Sequence, residues 1–341
     1  MTDEGNGARA ASRSVVLVTW PDFAETCGDS LRLLESAGLE VRLAPRLHER
    51  QPHELDELLE DVVGAVVSTD PFTADVLRAR PGLRVIARVG VGVDSIDVDV
   101  ASERGVLVTV TTGANETTVA DHTLALLLAA VRRIPLHDRQ VRRGEWARTG
   151  DSIGWSLTGA TVGLIGFGRI GRLVAQRLAG FDVRILVSDP VFTGDDLAEA
   201  VGLDQLLRRS DIVSLHAPLL PSTRGMLGER ELGLLRPHAI LINTGRGGIV
   251  DEAALVAALR DGRIRAAGID VFDQEPPGSS PLLGLDNTVV TPHVAGISEE
   301  SVNEMVTRAV RSVIDVVEGR IPPDVVNPAA FLARGEGVAR A

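Results

Sequence analysis

Apolar residues fall in short runs along most of the chain, at residues 15–18, 41–43, 62–67, 85–89 and 106–108, and segments with helical spacing around residues 31–34, 55–59 and 74–77 lie between them. Runs of that length fit strands buried on both faces, and strands alternating with helices predict a parallel sheet in an α/β domain. Residues 117–133 then read as a helix apolar nearly all round, expected to be buried between domains or subunits. The alternation resumes at residues 162–166, 183–187, 212–215, 240–242, 267–269 and 288–290, with a helix at 255–259 and a long one over 298–317. Asp324-Val325-Val326-Asn327 is expected to return as an edge strand to the first domain. Residues 134–157 are polar and hold Trp146 and Trp155, which predicts a projecting arm, a dimer contact or a solvated loop. Residues 1–13 and the tail 329–341 are expected to be loose.

One strand-to-helix junction carries chemistry. Gly166-Phe167-Gly168-Arg169-Ile170-Gly171 follows the run at 162–166 and opens an amphipathic helix, which is the context a G-x-G-x-x-G turn requires. Gly166 permits the tight turn, Gly168 lets a pyrophosphate approach the backbone, and Gly171 lets helix and strand pack closely. The N-terminus of the helix offers unpaired N–H groups and a partial positive charge to that anion. Asp189, 18 residues beyond Gly171, closes the next strand where an acid accepts hydrogen bonds from the adenosine ribose. Together these predict NAD binding, with NAD preferred over NADP because a carboxylate repels a 2′-phosphate.

Composition narrows the chemistry. The 341 residues are enough for two domains with separate cores. A single cysteine, Cys27, rules out an intrachain disulfide and a cysteine-rich zinc site, so no metal is expected. The net charge of -12 argues against nucleic acid or anionic membrane as a partner. No apolar run is long enough to span a bilayer and no signal-peptide core is present, so a cytoplasmic protein is expected. The chain contains neither lysine nor tyrosine. Schiff-base chemistry and a P-loop lysine are therefore unavailable, as is the Tyr/Lys pair of short-chain dehydrogenases.

Three further stretches follow the later strands: Asn243-Thr244-Gly245-Arg246-Gly247-Gly248, Asp270-Val271-Phe272-Asp273-Gln274-Glu275-Pro276 and Thr291-Pro292-His293. Taken singly they read as a surface ion pair, a solvated loop acid and a satisfied turn histidine. Taken together they fit oxidation of a hydroxy acid, which needs a base for the hydroxyl proton, a cation for the carboxylate and a hydride acceptor. Arg246 can clamp a carboxylate bidentately, His293 is the best base because the reference pKa of histidine lies near cellular pH, and Glu275 can orient its ring. Earlier in the chain, Gly90-Val91-Gly92-Val93-Asp94 follows a strand and can turn successive N–H groups toward an anion. Arg88 stands before it, either to bind a second anion or to brace the loop. The other histidines, His48, His53, His137 and His238, lack metal-ligand spacing and read as solvated, while His122 reads as a buried hydrogen-bonded residue.

Over roughly residues 15–326 the chain resembles the D-isomer-specific 2-hydroxyacid dehydrogenase family, and most of all its phosphoglycerate dehydrogenase branch. The likeness rests on residues 88–94, 166–171, His216-Ala217-Pro218-Leu219, 243–255, 270–276 and 291–293. It implies two Rossmann- or flavodoxin-like α/β domains with parallel sheets, a cofactor domain (113–294) being inserted into a discontinuous substrate domain (1–112 and 295–341). It implies Arg246, Glu275 and His293 as the catalytic set and the Val91 and Gly92 amides as holders of the substrate carboxylate. Thr117, His216, Thr244 and Asp270 would join Gly166, Gly168, Arg169, Ile170, Gly171 and Asp189 in holding NAD. The family's usual homodimer would account for the polar arm. The chain ends soon after Asn327, so feedback through a regulatory domain is not expected, and Glu275 disfavours the formate dehydrogenase branch, where glutamine stands. D-3-phosphoglycerate leads as substrate, followed by glyoxylate or hydroxypyruvate and by a hydroxyalkyl phosphonate. An NAD-sensing corepressor on the same scaffold is the alternative of another class.

Overall fold

A computed structural model describes residues 14–150 and 153–333 of the chain. They form two compact units, one made of residues up to Ala114 together with those from Glu299 onward, the other of Asn115–Ser298. The chain changes unit where a long helix begins, just before Glu116–Arg132 and at Glu299–Val317. These junctions lie two and four residues beyond the expected 112 and 294. The expectation of disorder over residues 1–13 falls outside the described residues.

The first unit has a five-stranded sheet of β1 (Val15–Val18), β2 (Glu40–Leu43), β3 (Val62–Val67), β4 (Val85–Arg88) and β5 (Leu107–Thr109). Its order is β2-β1-β3-β4-β5 with every pairing parallel, the flavodoxin-like arrangement. The helix Glu299–Val317 lays Met305, Val306, Ala309, Val310, Val313 and Val316 into the same core as Val16, Val66, Val85 and Leu107. Burial of that face contributes on the order of 10 kcal/mol. The expected edge strand at 324–327 is reduced to a single antiparallel bridge, Thr109 to Val325. Asn327 ends the pairing: its side chain accepts from Val108 N–H and donates to the Val106 carbonyl, so its polarity is spent on β5. The tail is not loose throughout, because Ala330–Ala333 forms a short helical turn with Ala330 and Phe331 buried; residues 334–341 lie outside the described residues.

The second unit holds β6 (Thr161–Ile165), β7 (Arg184–Ser188), β8 (Glu199–Ala200), β9 (Ile212–Leu215), β10 (Ile240–Asn243), β11 (Ala266–Ile269) and β12 (Thr288–Val290). The order β12-β11-β10-β9-β6-β7-β8, again all parallel, is that of a Rossmann sheet with one added strand. One face carries the helices Glu116–Arg132 and Arg169–Leu178, the other Leu203–Arg209 and Glu252–Arg260. The helix Glu116–Arg132 is not apolar all round: Thr117, Asp121 and Arg132 are exposed, and its buried face packs within its own unit against β10 and β11. Of the polar segment after it, Ile134–Arg142 is a helix with no buried residue, and Trp146 is 77% exposed. Leu157, by contrast, is buried and Trp155 packs against the core. No helix among the described residues is long and apolar enough to cross a membrane.

Candidate active site

Parallel pairing puts the carboxyl ends of β6, β9, β10, β11 and β12 along one edge of the second sheet, and the predicted residues follow those ends in turn. Open α/β sheets bind ligands there, beside the point where strand order reverses, which is between β6 and β9.

Gly166 leaves β6 with φ +92°, and a Cβ on it would lie 2.6 Å from Ala217 N and 2.7 Å from the His216 carbonyl carbon. A Cβ on Gly171 would lie 2.4 Å from the Gly166 carbonyl oxygen, so the helix starts against the turn. Around Gly168 nothing lies within 4 Å of that position, and the space above the N-terminus of helix Arg169–Leu178 is open to a pyrophosphate. This cradle fits NAD. Asp189 accepts from Phe167 N–H at 2.8 Å and Val191 N–H at 2.9 Å. Burial works against its charge but is outweighed by the N–H groups of Phe167, Val191 and Phe192 and by Arg172, which hold the carboxyl below its ordinary value. Arg169 lies 3.7 Å from Glu116, Ile170 packs on the core, and Thr117 is exposed in the first turn of its helix. His216 follows β9; its Nε2 is 2.9 Å from Ser214 Oγ and its Nδ1 is buried. Burial pushes its pKa down to about 4, so the ring is neutral near pH 7.

The catalytic expectation concerns three loops. Asn243, at the end of β10, accepts from Gly245 N–H and donates to the Arg246 carbonyl, tying the arginine loop into a compact turn. A Cβ on Gly247 would lie 2.1 Å from the Phe272 carbonyl, so only glycine lets this loop press against the one after β11. That second loop passes through Phe272, whose N–H donates to Glu275 Oε1 at 3.1 Å, and a cis Glu275-Pro276 bond. Glu275 Oε2 lies 2.6 Å from His293 Nδ1, which leaves Nε2 of the imidazole for a substrate. Burial works against the Glu275 charge, but His293, the Phe272 N–H and Arg246 hold its carboxyl below the ordinary value. Arg246, Glu275 and His293 are thus brought together, with Arg246 Nη1 also donating to the Gly245 carbonyl.

Two residues read as cofactor ligands have further tasks. Asp270 is completely buried; its carboxylate accepts from Thr291 Oγ1, Val294 N–H and Ala295 N–H, and its carbonyl accepts from His293 N–H. Thr244 shares a 2.8 Å hydrogen bond with Thr123. Sequence reasoning missed these links and Thr123, and it named Thr291 without a role of its own, because nothing in spacing tells which helix face meets which loop. Of the other histidines, His122 is part-buried and bonded to Thr291, and His238 is not merely solvated but lies 2.8 Å from Asp211. In the first unit, Arg88 donates to the carbonyls of Gly92 and Val89, bracing the loop that holds Val91 and Gly92. No cluster of three or more His, Cys, Asp or Glu among the described residues is placed to hold a metal.

Residues 124–295 match the family model described as D-isomer specific 2-hydroxyacid dehydrogenase, NAD binding domain. The chain is 40% identical over 306 residues to the D-3-phosphoglycerate dehydrogenase of Methanocaldococcus jannaschii, covering 88% of this chain but only 57% of that protein. To the glyoxylate reductase of Korarchaeum cryptofilum it is 44% identical over 277 residues, 79% of this chain and 83% of that one. Among solved structures, the NAD-dependent formate dehydrogenase of Staphylococcus aureus in complex with NAD superposes with a TM-score of 0.80 at 29% identity, covering 89% and 94% of the two chains.

Proposed function

The chain belongs to the D-isomer-specific 2-hydroxyacid dehydrogenase family, and on that footing we propose that it interconverts a small D-2-hydroxy acid and its 2-keto acid with NAD. The observation that carries this reading is the 2.6 Å contact between His293 Nδ1 and Glu275 Oε2, with the Arg246 cation beside the pair. In oxidation His293 Nε2 takes the hydroxyl proton while Glu275 holds the Nδ1–H and favours the imidazolium that results. Arg246 clamps the carboxylate and keeps C2 in place as its C–O bond becomes a carbonyl. Bound nicotinamide supplies the acceptor for the hydride that leaves C2. Reduction runs the same transfers backwards, with the imidazolium as acid. Positioned proton transfer of this kind contributes roughly 10² to 10⁴ in rate.

D-3-phosphoglycerate, or an acid like it with a second anionic group, is the leading substrate. Reduction of glyoxylate or hydroxypyruvate is the second reading, favoured by the larger share of the K. cryptofilum glyoxylate reductase that this chain matches. The test is a panel of D-3-phosphoglycerate, glyoxylate, hydroxypyruvate and hydroxyalkyl phosphonates followed through NADH absorbance. Turnover of one of them with His293→Ala at least about a thousandfold slower is expected. NADH binding without turnover of any member would favour the corepressor-like alternative instead. We further infer a homodimer built through the helix Ile134–Arg142 and the segment after it, where Ile134, Val141 and Trp146 stand exposed. Trp146→Glu should then give a monomer in sedimentation; a parent that sediments as a monomer would remove the proposal.

A further inference from the structure

The helix Glu116–Arg132 presents two consecutive side chains to two different loops of the candidate site. His122 Nε2 lies 3.0 Å from Thr291 Oγ1, in the loop that carries His293. Thr123 Oγ1 lies 2.8 Å from Thr244 Oγ1, in the loop that carries Arg246. The direction of each hydrogen bond follows from the groups around it. A carboxylate only accepts, so Thr291 gives its one hydroxyl proton to Asp270 Oδ1 at 2.6 Å. Thr291 Oγ1 is therefore the acceptor toward His122, and His122 carries a proton on Nε2. Likewise Thr123 gives its proton to the Val119 carbonyl at 2.8 Å and accepts from Thr244.

The loop held by His122 has a conformation that needs holding. His293 has φ +54°, a left-handed backbone that costs a non-glycine residue on the order of 1 kcal/mol and persists only where its surroundings fix it. Its neighbours on both sides, Thr291, Val294 and Ala295, converge on the Asp270 carboxylate. His122 bonds the same Thr291 hydroxyl from the helix, as a second partner beside Asp270. We propose that His122 and Thr123 form a brace, a pair of positioning residues on one helical turn that fix the base loop and the cation loop relative to each other. The inference rests on the functional reading above, since it assigns the brace to the same catalytic set.

The experiment compares Thr291→Val, Thr291→Ser, His122→Phe, His122→Gln and the double variant His122→Phe/Thr291→Val. Thr291→Val and His122→Phe should each lower kcat roughly 10- to 100-fold while the KM for NADH changes by less than about twofold, the loss expected for a small misplacement of a catalytic group. Thr291→Ser, which keeps the hydroxyl, and His122→Gln, which keeps a donor, should recover most of it. The double variant should be no worse than the poorer single one. A readout that needs no turnover is the downfield proton resonance of His293 Nδ1 against Glu275, identified by its absence in His293→Ala. It should broaden or shift in Thr291→Val and return in Thr291→Ser. Unchanged kcat and an unchanged resonance in both Thr291→Val and His122→Phe overturn the brace, as does additive loss in the double variant. If the parent turns over no 2-keto acid, the functional reading fails while the resonance still decides whether the brace holds His293.

Discussion

Arg246 is where lysine and arginine chemistry part most sharply, in a chain that has no lysine at all. Lysine keeps the charge but loses the planar fork, so Arg246→Lys should lower kcat/KM by roughly 100-fold or more with little change in NADH affinity. Near-parental turnover in stopped-flow assays would remove the clamp from the mechanism. Glu275, held ionised by its neighbours, favours the protonated form of the ring it touches. Oxidation draws on the neutral ring and should rise with pH; reduction draws on the protonated ring and should fall. In Glu275→Gln, which keeps the shape but removes the charge, both limbs should move to lower pH, read as kcat/KM profiles with a deuterated substrate to confirm that chemistry limits the rate. Limbs that stay put, or move upward, mean that another group transfers the proton. His216 makes the opposite kind of prediction, about stability. Its pKa is about 4 in the fold and near 6.5 when unfolded, so between those values the unfolded chain binds the extra proton. Stability should fall as pH drops from 6.5 to 4 and level off below, a loss of up to about 3 kcal/mol from this group. His216→Asn should flatten that part of the denaturant-midpoint profile, and two parallel profiles would contradict the assignment.

The loops after β10 and β11 meet at Gly247, so the contact that holds the cation beside the base pair depends on a residue with no side chain. Gly247→Ala would place a carbon 2.1 Å from the Phe272 carbonyl, and the loops must part. The variant should lose activity by roughly 100-fold or more, since a displacement of about 1 Å is enough for that, while NADH titration stays near parental. Full activity would mean that the two loops need not touch. Elements of this kind divide what the sequence discloses from what it hides. Buried parallel strands were legible because apolar runs such as 62–67 and 212–215 admit few other readings, and their ends located Arg246, Glu275 and His293. The strand β8 was not, being two residues with Glu199 exposed, and the helices Val98–Glu103 and Leu203–Arg209 are too short and too polar to announce themselves by period. The supposed strand at 324–327 shows the opposite error: its valines suggest β structure, yet Asn327 turns inward and stops the ladder after one bridge. Within the site, the residue types were legible and their partners were not. The Asp270 contacts with Thr291, Val294 and Ala295 depend on a left-handed turn at His293 that no local preference predicts.

At the scale of the molecule, every group assigned to NAD and to proton transfer lies within Asn115–Ser298. Saturating NADH should therefore stabilise this unit first, by about 2.7 kcal/mol at a hundred times Kd. Hydrogen exchange should show protection at residues 166–172 and 189–192 before any at β1 to β5, and uniform protection would count against a cofactor site confined to one unit. The first unit has a different dependence, on the order in which the chain is made. Its core needs the face of Glu299–Val317, which the ribosome delivers only after the whole of the other unit. At 5 to 20 residues per second the intervening segment takes on the order of ten seconds or more to synthesise. Throughout that interval Val16, Val66 and Val85 wait without their cover, as an exposed apolar sheet that invites aggregation or a chaperone. A chain made only as far as Ser298 and released from the ribosome should thus show a protease-resistant second unit and a sensitive first one, and the same sheet should become resistant in a chain extended through residue 333.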